Sequence, residues 1–372
     1  MSSLRAKGRP PSTSGHIVRQ LRQEIVSGHW SPGSQLPTRS AIEANFGVGP
    51  VTVQRALEEL KRDGFVRVQG RQGTFVAANP PHLARYAFIF PDNPFSAGGY
   101  RFWGALNHEI EALKGRGVHP DGITLEGYYD VGSSWSEVDF DRLVADVRAH
   151  RVAGLIFLFN PYLLVDTPLL EEPSIPRVLL GLSDTTDPPG ALYVVLDDPG
   201  FRTKAVTRLK ALGRRRIAVI GRGSKDSWFE NWSLSIAAQG LESPRCFVQG
   251  AEVASASSAR NLAQLLFRGP RDERPDALVV ADDNLLPAVT LGLAEVGLTA
   301  PEDLHIVAHT NFPWPTDCHL EVIRLGFDSR QVVATCLDLV DRLRGHDAAP
   351  WETLVEAKFE EELTPLPGRA WK

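Results

Sequence analysis

Long apolar runs are missing from this 372-residue chain. No stretch approaches the roughly 20 apolar residues that a membrane-spanning helix needs. The start, Met1-Ser2-Ser3-Leu4-Arg5, has no apolar signal core, so the expectation is a cytoplasmic protein. Cysteine is scarce. Cys246, Cys318 and Cys336 are odd in number and lack metal-ligand spacing, which predicts buried free thiols and no metal site. Lysine is sparse after residue 77, and no Ser-His-Asp cluster stands out, so neither catalysis nor a cofactor is expected.

What remains is ordinary soluble composition, 43% hydrophobic and 23% charged, in a chain long enough for two or three domains. The net charge of −5 hides a division. Residues 1–77 hold eleven Lys and Arg against five Asp and Glu; the rest holds 29 against 40. A basic head on an acidic body means that only the head is suited to a polyanion.

That head is built around Gly49 to Leu60. Gly49 suits an N-cap and Pro50 the first helical position. Val53, Ala56, Leu57 and Leu60 recur at helical spacing, leaving Val51, Gln54, Arg55 and Arg62 on the outer face. Gln reads an adenine edge, and Arg a guanine edge or a phosphate. Before it, Thr38 caps a short helix from Arg39 to Phe46, and Gly47 ends it. After it, Phe65–Gln69 and Gly73–Val76 make a hairpin whose tip, Gly70-Arg71-Gln72-Gly73, lays Arg71 against DNA. The candidate DNA contacts are Thr38, Arg39, Ser40, Pro50, Val51, Thr52, Gln54, Arg55, Arg71, Gln72 and Gly73.

These segments, in this order, resemble the GntR-type winged helix. The markers are Ile25-Val26-Ser27-Gly28, Pro32-Gly33-Ser34-Gln35-Leu36-Pro37, Val51 to Leu57 and Gly70 to Val76. Three positions depart from the family pattern: Ser40, Pro50 and Gln54 stand where basic residues are usual. The departures bear on which operator is read. Some GntR-type heads are fused to pyridoxal-phosphate enzymes, but none of Lys114, Lys204, Lys210, Lys225, Lys358 and Lys372 follows the expected pattern.

The expected organisation is a disordered tail (1–14), a winged helix (15–77), a stiff connector (78–84) and a body (85–372). From Tyr86 onward, apolar strands alternate with helices, which predicts parallel sheets covered on both faces. A second set begins at Leu192-Tyr193-Val194-Val195-Leu196, giving two lobes, about 85–193 and 194–308, with the C-terminal segment crossing between them. The fold class is thus an α+β winged helix-turn-helix plus a two-lobed α/β body. Leu212 to Gly221, Pro275 to Asp283 and Gly297 to Val307 resemble LacI/GalR-type sensor domains, which have the periplasmic-binding-protein fold. A GntR-type head on such a body resembles the arabinose-repressor subgroup. The resemblance implies a homodimeric repressor, two heads on two half-sites of operator DNA, and release by a small molecule, often a sugar.

Ligands in such sheets bind beyond the carboxyl ends of the strands. The candidates there are Asp92, Asn93, Phe95, Tyr100, Asn160, Asp198, Trp228, Asn231, Asp283, His309 and Asn311. Carboxylates and amides bond hydroxyl pairs, and aromatic faces cover a sugar ring. Each has a plainer role as well. Asp283 could cap the next helix, Trp228 and Trp232 could pack in a core, and His309 could be a bonded loop residue. An alternative reading is a constitutive DNA-binding dimer whose body only oligomerises.

Overall fold

The helix starting at Pro50 forms with the ends its sequence specifies. A computed structural model describes residues 13–363, apart from 97–99, 116–121, 133–136, 172–174, 183–189, 224, 242 and 254. Most of the tail expected over 1–14 therefore lies outside the described residues. The head consists of α1 (Thr13–Val26), α2 (Arg39–Phe46), α3 (Pro50–Arg62), β1 (Val66–Val68) and β2 (Thr74–Val76). Thr38 caps α2 by accepting from the Ala41 amide, and Gly47 closes it at φ 62°. Gly49 caps α3 in extended conformation, with Pro50 at its start. Val53, Ala56, Leu57 and Leu60 are buried against Ile17, Leu21 and Ile25 of α1. β1 and β2 pair antiparallel from Val66–Val76 to Val68–Thr74. The wing tip is one turn of 3₁₀ helix, Gly70–Gln72, rather than an open hairpin loop.

A short helix, α4 (Pro81–Ala84), joins head to body. The connector is not a free spacer, because Pro81 and Ala84 are buried. The first lobe comprises β3 (Arg85–Ile89), α5 (Arg101–Gly115), β4 (Thr124–Tyr128), α6 (Glu137–Arg148), β5 (Gly154–Phe157), α7 (Pro168–Glu171), β6 (Arg177–Leu180) and β7 (Leu192–Leu196). The second comprises α8 (Asp198–Ala211), β8 (Ile217–Gly221), α9 (Asp226–Ala237), β9 (Val248–Gly250), α10 (Ala256–Phe267), β10 (Ala277–Val280), α11 (Leu286–Glu295), β11 (His305–Phe312) and β12 (Ile323–Asp328). Last come α12 (Ser329–Gly345), β13 (Glu352–Val355) and β14 (Lys358–Phe359).

Each lobe holds a six-stranded sheet. The first runs β4-β3-β5-β6-β7-β13, all parallel. The second runs β9-β8-β10-β11-β12-β14, parallel except for the β12–β14 edge. The strand Leu192–Leu196, expected to open the second set, pairs with β6 in the first sheet. A doubly covered strand is a plain apolar run whichever sheet it joins, so its sequence carries no address.

The chain crosses between the sheets three times: after β7, after β12, and between β13 and β14. The crossings are fastened together. The Asp197 amide donates to the Val355 carbonyl at 2.9 Å. Lys204 Nζ donates to the Ala357 carbonyl at 2.6 Å. A single apolar core runs from Tyr86 and Phe88 of β3 and Phe90 just after it, through Val332, Val333 and Cys336 of α12, to Ile217 and Val219 of β8. Separate cores fill the outer faces of each lobe.

The thiols depart from expectation. Cys336 is buried and Cys318 half-buried, but Cys246 is exposed, because Arg245–Phe247 is a surface 3₁₀ turn rather than strand. Among the described residues, no helix is long and apolar enough to cross a membrane.

Candidate functional site

The second lobe brings its strands to a common edge. Arg222 follows β8, Asp282, Asp283 and Asn284 follow β10, His309 lies in β11 and Phe327 near the end of β12. From the other side come Leu196 at the end of β7 and Tyr100, Phe102 and Trp103 at the start of α5. Asp198, Phe201 and Arg202 of α8 and Trp228 and Trp232 of α9 complete the wall. Together they enclose a cleft of about 300 Å³, within the range of small-molecule sites.

Aromatic rings dominate it. Trp228 and Trp232 sit four apart on α9 and present their rings 6.4 Å apart. Trp232 is 2% exposed and packs edge-on to Phe201. Trp228 lies over the Gly223 backbone so closely that a Cβ there would fall 2.0 Å from the indole. Both indoles therefore serve packing and lining at once.

The polar groups are distributed among the rings. Asp283 is 2% exposed, and its Oδ2 accepts from Asn311 Nδ2 at 2.9 Å and Thr316 Oγ1 at 3.2 Å. Its carboxylate is thus spent on β11 and the following loop rather than on capping α11, whose N-cap has no side-chain bond. His309 Nδ1 stands 3.7 Å from Asp283 Oδ1. Burial alone would depress the His309 imidazole; Asp283, with Asp282 and Asp198 behind it, outweighs burial and raises its pKa. Arg222 stands 3.6 Å from Asp282 and 4.5 Å above the Tyr100 ring. That stack spans the two lobes. So does the bond from the Arg101 amide to Asn284 Oδ1 at 3.1 Å, and so does the contact of His108 with Trp314 at 4.7 Å.

Of the residues expected in the site, Tyr100, Asp198, Trp228, Asp283 and His309 meet in this cleft. Asn311 stands behind Asp283 as its donor. Five do not line it. Asn93 is used locally, its Oδ1 accepting from the Phe95 amide while Asp130 holds the Asn93 amide. Phe95 projects outward against Tyr129, and the same turn carries Asp92. Asn160 reaches the Leu182 carbonyl at 3.4 Å. Asn231 lies on the exposed side of α9. Arg202 and Arg222 were not foreseen. Arg222 comes from the segment just before α9 and Arg202 from α8. The apolar rings Phe102, Trp103, Phe201 and Phe327 sit inside strong periodic patterns and read from sequence as core.

The head presents a second set of groups. Thr38, Arg39, Ser40, Pro50, Val51 and Arg55 are exposed, Val51 to 63%, and Thr52 and Gln54 are half-exposed. Gln54 Nε2 donates to Glu58 Oε1 at 2.6 Å, so it must release that partner before it can read a base. On the wing, Arg71 and Gln72 are exposed and Gly73 turns at φ +115°. Gln35 braces the tip by donating to the Gln72 carbonyl at 2.7 Å.

Residues 13–76 match the family described as bacterial regulatory proteins, gntR family, and residues 206–360 match the periplasmic binding protein-like domain. The chain carries a GntR-type winged-helix head on a periplasmic-binding-protein-like body. The arabinose metabolism transcriptional repressor of Geobacillus stearothermophilus is 25% identical over 353 residues, covering 80% of this chain and 82% of that one. The regulator TauR of Rhodobacter capsulatus is 34% identical over 102 residues, 26% of this chain and 20% of its own length. The transcriptional regulator CelR, solved with cellobiose, superposes with a TM-score of 0.53 at 21% identity over 87% of this chain and 98% of that one. The GntR-type head is shared with many bodies; the similarity to the arabinose repressor spans head and body together.

Proposed function

We propose that the protein is a ligand-responsive transcriptional repressor. Its winged helix holds operator DNA, and a carbohydrate or carbohydrate derivative in the interlobe cleft releases it. The observation that carries this reading is the cleft itself, an aromatic-walled cavity at the meeting of two sheets with a buried carboxylate held by two neutral donors. Rings of this kind cover the apolar face of a pyranose, and the Asp198 carboxylate and Arg202 guanidinium in the same lining would bond its hydroxyls. The arabinose repressor and the cellobiose complex of CelR support the class of ligand. The protein acts as a homodimer, so that two heads read two half-sites. Ligand shifts the lobes and with them the spacing of the heads, a coupling typically on the order of 1–3 kcal/mol.

The test has two stages. Selection from random DNA with the full chain should return one near-palindromic sequence. Mono- and disaccharides, sugar acids and polyols are then screened for a rise in melting temperature, because a ligand that binds only the folded state stabilises it by mass action. A hit that also lowers operator affinity supports the proposal. Selective DNA binding with no response to any compound would instead favour a constitutive binder whose body only oligomerises.

A further inference from the structure

We propose that the recognition helix is docked on the first lobe by a buried ionic latch centred on Asp63, so that head and lobe move as one body. The proposal rests on the reading of α3 as the DNA-contacting helix. Asp63 is the C-terminal cap of α3, its amide donating to the Glu59 carbonyl. Its carboxylate is shared. Arg22 of α1 donates to Oδ2 at 2.6 Å, and Arg151 of the first lobe donates to Oδ1 at 3.1 Å. Arg22 alone would belong to the head's own packing; Arg151 comes from the loop between α6 and β5, 88 residues away.

The chain of charges continues into the lobe. Arg151 Nη2 lies 2.6 Å from Asp146 Oδ1. The buried Asp146 accepts the Tyr128 hydroxyl at 2.6 Å. Arg22, Asp63, Arg151 and Asp146 thus alternate in sign from the head to α6, where the Tyr128 hydroxyl of β4 ends the series. Such an arrangement offsets the cost of burying each charge, and removing one member leaves its neighbours under-compensated.

An apolar contact lies beside the latch. The fully buried Phe65 stacks on His82 of α4, centroids 5.8 Å apart and planes 10° apart, with the Arg22 guanidinium 5.3 Å from its ring centre. A Cβ on Gly64 would lie 3.4 Å from Pro81. A head on a free tether would leave the end of α3 in water; here both its carboxylate and the ring that follows are covered by the connector and the lobe. Displacement of the first lobe therefore turns α3 directly, and a closed cleft and a rotated recognition helix become two readings of one rigid-body motion.

The test is hydrogen exchange on the full chain, which requires neither operator nor effector. The informative amides are Phe65, Ala77, Leu83 and Arg85, each hydrogen-bonded at the junction. In the wild type they should be protected. In Arg151→Ala they should exchange at least about tenfold faster, while amides of β5 and β6 keep their rates. Arg151→Lys, which keeps one charge but loses the fork, should fall between. Tyr128→Phe, which frees Asp146, should shift the same amides in the same direction by less. Free exchange in the wild type would overturn docking, and wild-type protection in Arg151→Ala would overturn the latch. Failure to bind DNA, with protection intact, would overturn the repressor reading and leave the latch standing.

Discussion

At the scale of single residues, Asp283 shows how one carboxylate is assigned. Two neutral donors and a nearby imidazole surround it, so it is pre-organised before any ligand arrives. Asp283→Ala should remove the ligand-induced rise in melting temperature and leave operator affinity within about twofold, because the head lies outside its contacts. An unchanged ligand response would remove Asp283 from the site. Gly223→Ala makes a separate point. The added methyl falls on the Trp228 indole, so the ring must turn away and the cleft loses one wall. Ligand affinity should drop about tenfold or more, measured by calorimetry, with the Trp fluorescence changing in parallel. At this scale the sequence was partly legible. Tyr100, Asp198, Trp228, Asp283 and His309 could be found because strand ends and helix starts mark them. Asn93 could not be excluded, since its tie to Asp130 depends on the segment that follows β4, far away in sequence.

At the scale of elements, the head was almost fully legible. Thr38, Gly47, Gly49 and Pro50 fix the ends of α2 and α3 through local chemistry, and local chemistry is written in adjacent residues. The wing was legible as a hairpin but not as a 3₁₀ tip, because Gly70 and Gly73 allow either. Strand allocation was the weak point: nothing within Leu192–Leu196 tells it to join β6, and that pairing is decided by the three crossings. The prediction at this scale concerns the paired surface of α3 and the wing. Replacing Arg55 and Arg71 together with Ala removes two exposed cations, one from each element. Operator affinity should fall by about 1–3 kcal/mol for each base edge left unread, and the salt slope should flatten by about one for each phosphate left without its cation. Circular dichroism should show the fold retained, since neither side chain is buried. Unaltered affinity would move the DNA face elsewhere.

At the scale of the whole molecule, the junction of head and body carries its own pH dependence. His82 is packed between Phe65 of the head and the first lobe, and burial, reinforced by His150 and Arg344, lowers its pKa from the ordinary 6.5 to about 4. The docked state therefore binds fewer protons than the undocked one between those two values. Stability from this group is present in full above pH 6.5 and is lost progressively as the pH falls toward 4. His82→Phe keeps a ring to stack on Phe65 but has nothing to titrate. Wild type and variant should melt with parallel pH profiles above neutrality, and the wild type should then fall more steeply between pH 6.5 and 4. Carboxylates titrating elsewhere are common to both chains and cancel in the comparison. Parallel profiles throughout would show that His82 does not lose its proton on docking, and the junction would then have to be more open to water than its stacking against Phe65 implies. The connector was read from sequence as a stiff spacer, which Pro80 and Pro81 do specify; that it is a buried joint follows from Asp63, Phe65, His82 and Arg151 meeting across three segments, a coincidence that no single stretch of sequence contains.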